Sequence, residues 1–384
     1  MSILLKNRSK SSWFDHLQVK LFYQKGVHWP VLDSIRGLAI ILVLLFHCFP
    51  YIGIFGLGWF GVDLFFVLSG FLITGILVDT VDHPHYWRNF AGRRVLRIFP
   101  LYYFSLLIFV VINWLFADIN NHEAIQFNFF INHQHWYWLY ISNWLVMFEG
   151  DWLPTSIFNH YWSLAIEEQF YLLWPVLVVM IYKWRPKYFI YVPLIFILFI
   201  LMLRFILLNK GVAEIPIYNF TFTRLDAISF GALTAVIIRS KRFKLFLQRY
   251  IIIFFAGALL LYLMSLMVSG SLSPLSAYFL TYGYTLNAFL FACFILISLA
   301  NTRYDKIKML YDNQFFRFFG KYSYAIYIFH WPVYRLFFDD FIQLVNMKFI
   351  ASLMVVAITV GLSLLSWYVL EKQFLKLKVH FKYN

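Results

Sequence analysis

His47 stands 11 residues after Arg36 and 14 after Asp33, in a run that is otherwise almost wholly apolar. On an α-helix 11 residues are close to three turns, so Arg36 and His47 share one stripe, separated by roughly 16 Å of rise. Asp33 falls near the same stripe. Ionisable groups within apolar spans are costly to bury and face a cavity or the bundle interior. An imidazole titrates close to neutrality, so it can take a proton from a hydroxyl and return it later. The bland alternative is a core histidine bonded to a backbone carbonyl.

Three more groups of residues carry chemistry. Arg88, Arg93, Arg94 and Arg97 follow one another closely, with Arg94 and Arg97 at i,i+3 and Arg93 and Arg97 at i,i+4. Such an arginine face can grip phosphates with its planar forks or anchor to anionic lipid. The segment from His160 to Tyr171 repeats Ser163, Glu167 and Tyr171 at i+4, so a hydroxyl, a carboxylate and a phenol line one stripe. Glu168 points about 100° away and is expected to face water or a neighbouring helix. Asp63 puts a carboxylate in the Gly58–Gly70 segment, whose Gly61 and Gly70 permit close helix approach. Arg224, Asp226, Tyr327, His330 and Arg335 read either as structural helix-to-helix partners or as secondary site residues.

The elements that must position these groups are membrane helices. The 384 residues are 62% hydrophobic and 13% charged, with a mean hydropathy of +0.71, which excludes an ordinary soluble domain. The net charge of +14 comes in short bursts between apolar spans, which argues against nucleic acid. Between Arg97 and Lys183 there are 85 residues without Lys or Arg, although Asp118, Glu123, Glu149, Asp151, Glu167 and Glu168 lie there. That stretch therefore crosses the bilayer or lies beyond it, because cytoplasmic loops hold the cations.

Apolar runs near 36–55, 58–80, 98–117, 160–182, 189–208, 223–238, 250–269, 277–300, 322–342 and 348–370 predict an all-α bundle of about ten transmembrane helices, N-in and C-in. Residues 1–30 form a cytoplasmic N-terminal segment without a cleavable signal, 31–375 the membrane domain, and 376–384 a cytoplasmic tail. The stretch 118–159 is outside in this topology. Its aromatic 136–148 segment is expected to lie at the surface or to re-enter the membrane. Cys48 and Cys293 fit neither a disulfide framework nor a metal site, and no metal is expected.

In order and spacing, these segments resemble acyltransferase family 3, the integral membrane O-acyltransferases of bacteria that include O-antigen, capsule and Nod-factor O-acetylases. The matching residues are Leu32-Asp33 with Arg36-Gly37-Leu38-Ala39 and His47; Gly61-Val62-Asp63 through Leu68-Ser69-Gly70-Phe71-Leu72-Ile73; Arg93-Arg94 with Arg97-Ile98 and Pro100; and Trp162-Ser163-Leu164 with Glu167, Phe170 and Tyr171. Weaker matches fall at Arg224-Leu225-Asp226 with Gly231, and at Ser323 with Tyr327 and His330. Many relatives append an extracytoplasmic SGNH hydrolase-like domain, and this chain looks like the stand-alone form.

The resemblance implies a multi-pass enzyme of the bacterial inner membrane, with acetyl-CoA or another acyl-CoA as donor. The acceptor would be a hydroxyl on a surface polysaccharide, such as lipopolysaccharide, or on a lipid-linked precursor. His47 would be the general base or transient acyl carrier, with Asp33 or Asp63 setting its tautomer and Glu167 orienting the sugar. Arg36, Arg93, Arg94 and Arg97 would hold CoA phosphates. Asp63, Trp162, Ser163, Tyr171, Arg224, Asp226, Tyr327 and His330 would contact the acceptor. The rival classes are a proton-coupled transporter or flippase, and a non-catalytic sensor or scaffold.

Overall fold

The computed structural model describes residues 20–21, 28–116, 121–271, 273–301, 309 and 312–382. Most of the expected N-terminal segment 1–30 lies outside the described residues. The chain is an all-α membrane bundle, with the antiparallel pairing of Lys20–Leu21 against Ala300–Asn301 as the strand content among the described residues. Its helices are α1 (Pro30–Cys48), α2 (Phe60–Thr80), α3 (Tyr86–Phe116), α4 (Asn121–Trp138), α5 (Ser142–Glu149), α6 (Tyr161–Leu177), α7 (Tyr191–Asn209), α8 (Glu214–Asn219), α9 (Thr221–Arg239), α10 (Lys241–Ser269), α11 (Tyr284–Ser298), α12 (Gln314–Val345), α13 (Lys348–Ser366) and α14 (Lys372–Lys376).

Among the described residues, nine helical segments are long and apolar enough to cross a membrane. The expected tenth, 322–342, lies inside the 32-residue α12. The tyrosines, His330, Trp331 and Arg335 lower the hydropathy of α12 and keep it out of the nine. It is tolerated because its polar face is turned inward, with His330 fully buried. With α12 the candidate spans among the described residues number ten, an even count that agrees with the expectation of both ends on one face. The 136–148 segment is helical as parts of α4 and α5, neither of which is apolar and long enough to span. Cys48 and Cys293 are buried free thiols.

Two of the boundaries that differ from the sequence expectation bear on the site. The first span stops at Cys48 rather than 55, because Pro50 disfavours helix at the residue before it; His47 therefore sits in the last turn of α1. The third begins at Tyr86 rather than 98, so the arginines expected in a linker are carried on the helix itself.

Glycines set the two closest helix crossings. A Cβ on Gly37 would fall 1.8 Å from the Phe316 carbonyl oxygen, and one on Gly320 would fall 1.8 Å from that of Asp33, so the α1 and α12 backbones touch. Gly70 and Gly231 lock α2 to α9 in the same way, each 1.9 Å from the opposing carbonyl. The α1–α12 contact aligns the site. His47 and His330 each lie ten residues beyond the crossing glycine of their own helix, so two parallel helices joined at the glycines bring the two imidazoles together, tilted by 44° with 5.0 Å between ring centres.

Candidate active site

A cavity of about 110 Å³ opens between α1, α2, α3, α6 and α12. Arg36, Arg94 and Arg97 line one part of it, and Ser69, Ser163, Glu167, Glu168, Tyr171 and Tyr327 line the rest. Phe65, Leu68, Leu72, Ile98 and Leu164 supply an apolar wall between these polar groups. Arg36 pairs with Asp33 at 3.2 Å. Arg94 lies 5.5 Å from the Tyr171 ring centre. Among the described residues, neither Arg94 nor Arg97 has a carboxylate within 4 Å, so their donors are open to a bound anion.

On α6 the stripe of Ser163, Glu167 and Tyr171 faces this cavity along its length. The Tyr171 hydroxyl donates to Glu167 Oε2 at 3.2 Å, and Ser69 Oγ bonds that same hydroxyl. One turn towards the start of α6, the hydroxyls of Ser163 and Tyr327 bond each other, and both reach the His160 carbonyl, at 3.2 and 3.0 Å.

Beyond Tyr327 lies a group of three imidazoles. His330 Nε2 is 3.1 Å from His47 Nδ1, and His330 Nδ1 is 2.7 Å from the Tyr327 carbonyl oxygen. A carbonyl can only accept, so His330 Nδ1 carries a proton. In the neutral ring Nε2 is then a lone pair, and His47 must donate to it from Nδ1. This leaves Nε2 of His47 as its unprotonated, basic nitrogen. The Trp331 ring, 4.9 Å from His47 between ring centres, is anchored by its indole N–H on the Ser156 carbonyl at 2.7 Å. His160 packs 5.2 Å from His330 and is buried, yet among the described residues neither of its ring nitrogens has a hydrogen-bond partner.

The expected site residues separate into two sets. Arg36, Arg94, Arg97, Ser163, Glu167, Tyr171 and Tyr327 share the cavity, and His47 and His330 adjoin it through Tyr327. Glu168, expected to face water or a neighbouring helix, instead lines the arginine cavity together with Glu167. Asp33 stands roughly 21 Å of helix rise from His47. It is bound to Arg36 and His28, so it does not touch the imidazole.

Asp63 is also engaged elsewhere, in a fully buried pair with Arg224 that Asn287 completes at 2.7 Å. The group that holds His47 is His330. Trp162 packs 5.6 Å from Arg224, while Asp226 pairs with Arg204 at 2.8 Å. These residues brace the bundle away from the cavity wall. Arg93 turns from the cavity to donate to the Phe381 carbonyl at 3.0 Å. Sequence reasoning assigned no role to His160 or Ser69. The signal for His160 was its place ahead of the Tyr161-Trp162-Ser163 segment, and for Ser69 its place in the Leu68-Ser69-Gly70 match.

The chain is thus a multi-pass helical membrane protein with arginines at one part of a cavity and a tautomer-locked histidine pair beside another. Residues 29–371 match the family described as an acyltransferase domain, and the chain belongs to that family, the one its motifs resemble. It is similar to the peptidoglycan O-acetyltransferase OatA of Listeria monocytogenes, with 28% identity over 317 residues, 80% of this chain and 49% of the relative. It is also similar to the O-acetyltransferase OatA of Staphylococcus aureus, with 26% identity over 322 residues, 79% of this chain and 50% of the relative. The chain thus spans about half the length of the curated relatives it matches. No solved structure matches it.

Proposed function

We propose that this chain is an O-acetyltransferase of the bacterial inner membrane that moves an acetyl group from cytoplasmic acetyl-CoA to a hydroxyl of a cell-wall polysaccharide or its lipid-linked precursor. The observation that carries this reading is that Arg94 and Arg97, with no carboxylate within 4 Å among the described residues, line a cavity whose Tyr327 wall adjoins the locked His47–His330 pair. Arg94 and Arg97, with Arg36, would hold the donor's phosphates, and the apolar wall of Phe65, Leu68, Leu72 and Ile98 suits an extended pantetheine arm. The clustering of Lys and Arg in alternate loops supports a cytoplasmic position for the arginine end. The similarity to a protein named for peptidoglycan favours a wall glycan over lipopolysaccharide.

His47 Nε2 takes the acceptor's hydroxyl proton as that oxygen bonds to the acetyl carbon and the carbon–sulfur bond breaks. The same imidazole then returns the proton to the departing thiolate. His330 holds His47 Nδ1–H throughout, and so stabilises the imidazolium that forms. Alternatively, the same lone pair attacks the thioester first and passes the acetyl group on.

The test is His47→Ala in well-expressed protein, read by mass spectrometry of the wall glycan together with thermal stabilisation by CoA. The expected result is loss of one acetyl mass per modified sugar, with CoA still stabilising the variant. Unchanged acetylation sinks the catalytic role. A wild-type protein that CoA does not stabilise, while a proton gradient drives glycan or lipid movement, favours the transporter reading.

A further inference from the structure

The chain does not stop at the end of α13. A π-helical turn at Trp367–Glu371 continues the helix into α14 and a 3₁₀ turn at Leu377–His380, and this extension packs against α3. Side chains of α3 hold its backbone. Asn89 Nδ2 donates to the Lys382 carbonyl at 2.5 Å, and Arg93 Nη1 donates to that of Phe381. The Phe381 ring fills the space over Gly92, where an added Cβ would come within 2.3 Å of it, and Arg88 lies 5.6 Å from the ring centre. This strap is therefore docked in register by two hydrogen bonds and one ring-sized gap.

Docking brings Lys378, half-buried, into electrostatic reach of Arg36, Arg93, Arg94 and Arg97. The carboxylates nearby are engaged or set back. Asp33 is shared by Arg36 and His28, Glu371 accepts from Ser366 at 3.0 Å, and Glu167 and Glu168 act on Arg94 from the α6 wall. Among the described residues, no carboxylate lies within 4 Å of Lys378, Arg94 or Arg97. Cations gathered beside one another without close counter-charges repel, and a polyanion bound among them relieves the repulsion.

We propose that the C-terminal strap carries Lys378 as a further phosphate ligand of the donor site, beside Arg36, Arg94 and Arg97. The last segment of the chain then forms one wall of the donor's entrance, and Arg93, directed at Phe381, positions the strap rather than touching the donor. This rests on the donor reading above. The chemistry recognised is a phosphate-bearing head group, whose sources are a soluble acyl-CoA or an anionic lipid.

The test uses the full chain in zwitterionic nanodiscs, with CoA affinity measured for wild type, Lys378→Ala, Lys378→Arg and the strap-displacing Gly92→Leu. Removing one charge-assisted contact is expected to weaken CoA binding about tenfold in Lys378→Ala, with Lys378→Arg within about twofold of wild type. Gly92→Leu follows Lys378→Ala, and the loss appears in the KM for acetyl-CoA. Equal CoA affinity in wild type and Lys378→Ala overturns the role of Lys378 and leaves the donor reading intact. If wild type ignores CoA while phosphatidylglycerol stabilises it through Lys378, the site is a lipid site, and both this proposal and the donor reading fall.

Discussion

Replacing His330 with Ala tests the tautomer argument directly. In the native arrangement His330 Nε2 accepts from His47 Nδ1–H at 3.1 Å, and the Tyr327 carbonyl fixes which His330 nitrogen is free to accept. When His47 takes up a proton in the reaction, this becomes a hydrogen bond to a cation, worth about 1.5–3 kcal/mol. At about 1.36 kcal/mol per factor of ten, its loss lowers kcat by about 10- to 150-fold. His330→Ala also opens a cavity at a fully buried position, a loss of stability that does not itself slow the reaction. His330→Gln separates the two effects, because an amide oxygen can accept from His47 Nδ1–H and recover part of kcat. The assay is acetyl transfer by purified protein at saturating donor, with thermal unfolding and CoA binding measured on the same samples. A His330→Ala protein that keeps kcat within about twofold of wild type, alongside an inactive His47→Ala, refutes the derivation of the basic nitrogen.

Two further substitutions probe the scaffold. Gly320→Val forces α12 away from α1, because its Cβ would meet the Asp33 carbonyl at 1.8 Å. Overpacking of this kind costs about 1–3 kcal/mol, and the displacement should break the His47–His330 contact ten residues further on. The expected outcome is protein that still inserts in the membrane, unfolds at lower temperature and transfers little acetyl; full activity would show that the crossing does not set the imidazole spacing. Asp63→Ala strands Arg224 among Tyr218, Tyr284, Trp162 and Phe66. Removing one partner of a buried pair costs about 3–5 kcal/mol, read by thermal unfolding, whereas the double replacement Asp63→Ala with Arg224→Leu should recover much of it. A neutral single variant would remove the bracing role assigned to this pair.

Local pattern was enough for part of the site. Ser163, Glu167 and Tyr171 share a face because the helix repeat puts i+4 neighbours together, and that stripe is the one lining the cavity. Arg94 and Arg97 were legible for the same reason. Arg93, one residue away, points to the C-terminal strap instead, a distinction that depends on where residues 377–382 return in space. The expectation for Asp33 failed through length, since a shared helical stripe says nothing about distance along the axis. The expectation for Asp63 failed through competition. A buried arginine from α9 claimed that carboxylate, and no spacing within α2 reveals a partner 161 residues away.

By itself the sequence determined that the chain is a membrane bundle, which loops carry the cations, and which residue types bear chemistry. Hydrocarbon imposes its demand for about 20 apolar residues span by span, and that demand is local. Only the tertiary structure decided that His330, not a carboxylate, governs His47, that Glu167 and Glu168 share a chamber with the arginines, and that Phe381 and Lys382 dock on α3. Each of these depends on a helix crossing, set by backbone contact at residues such as Gly37 and Gly320, and a crossing belongs to two segments at once, so neither segment's pattern contains it.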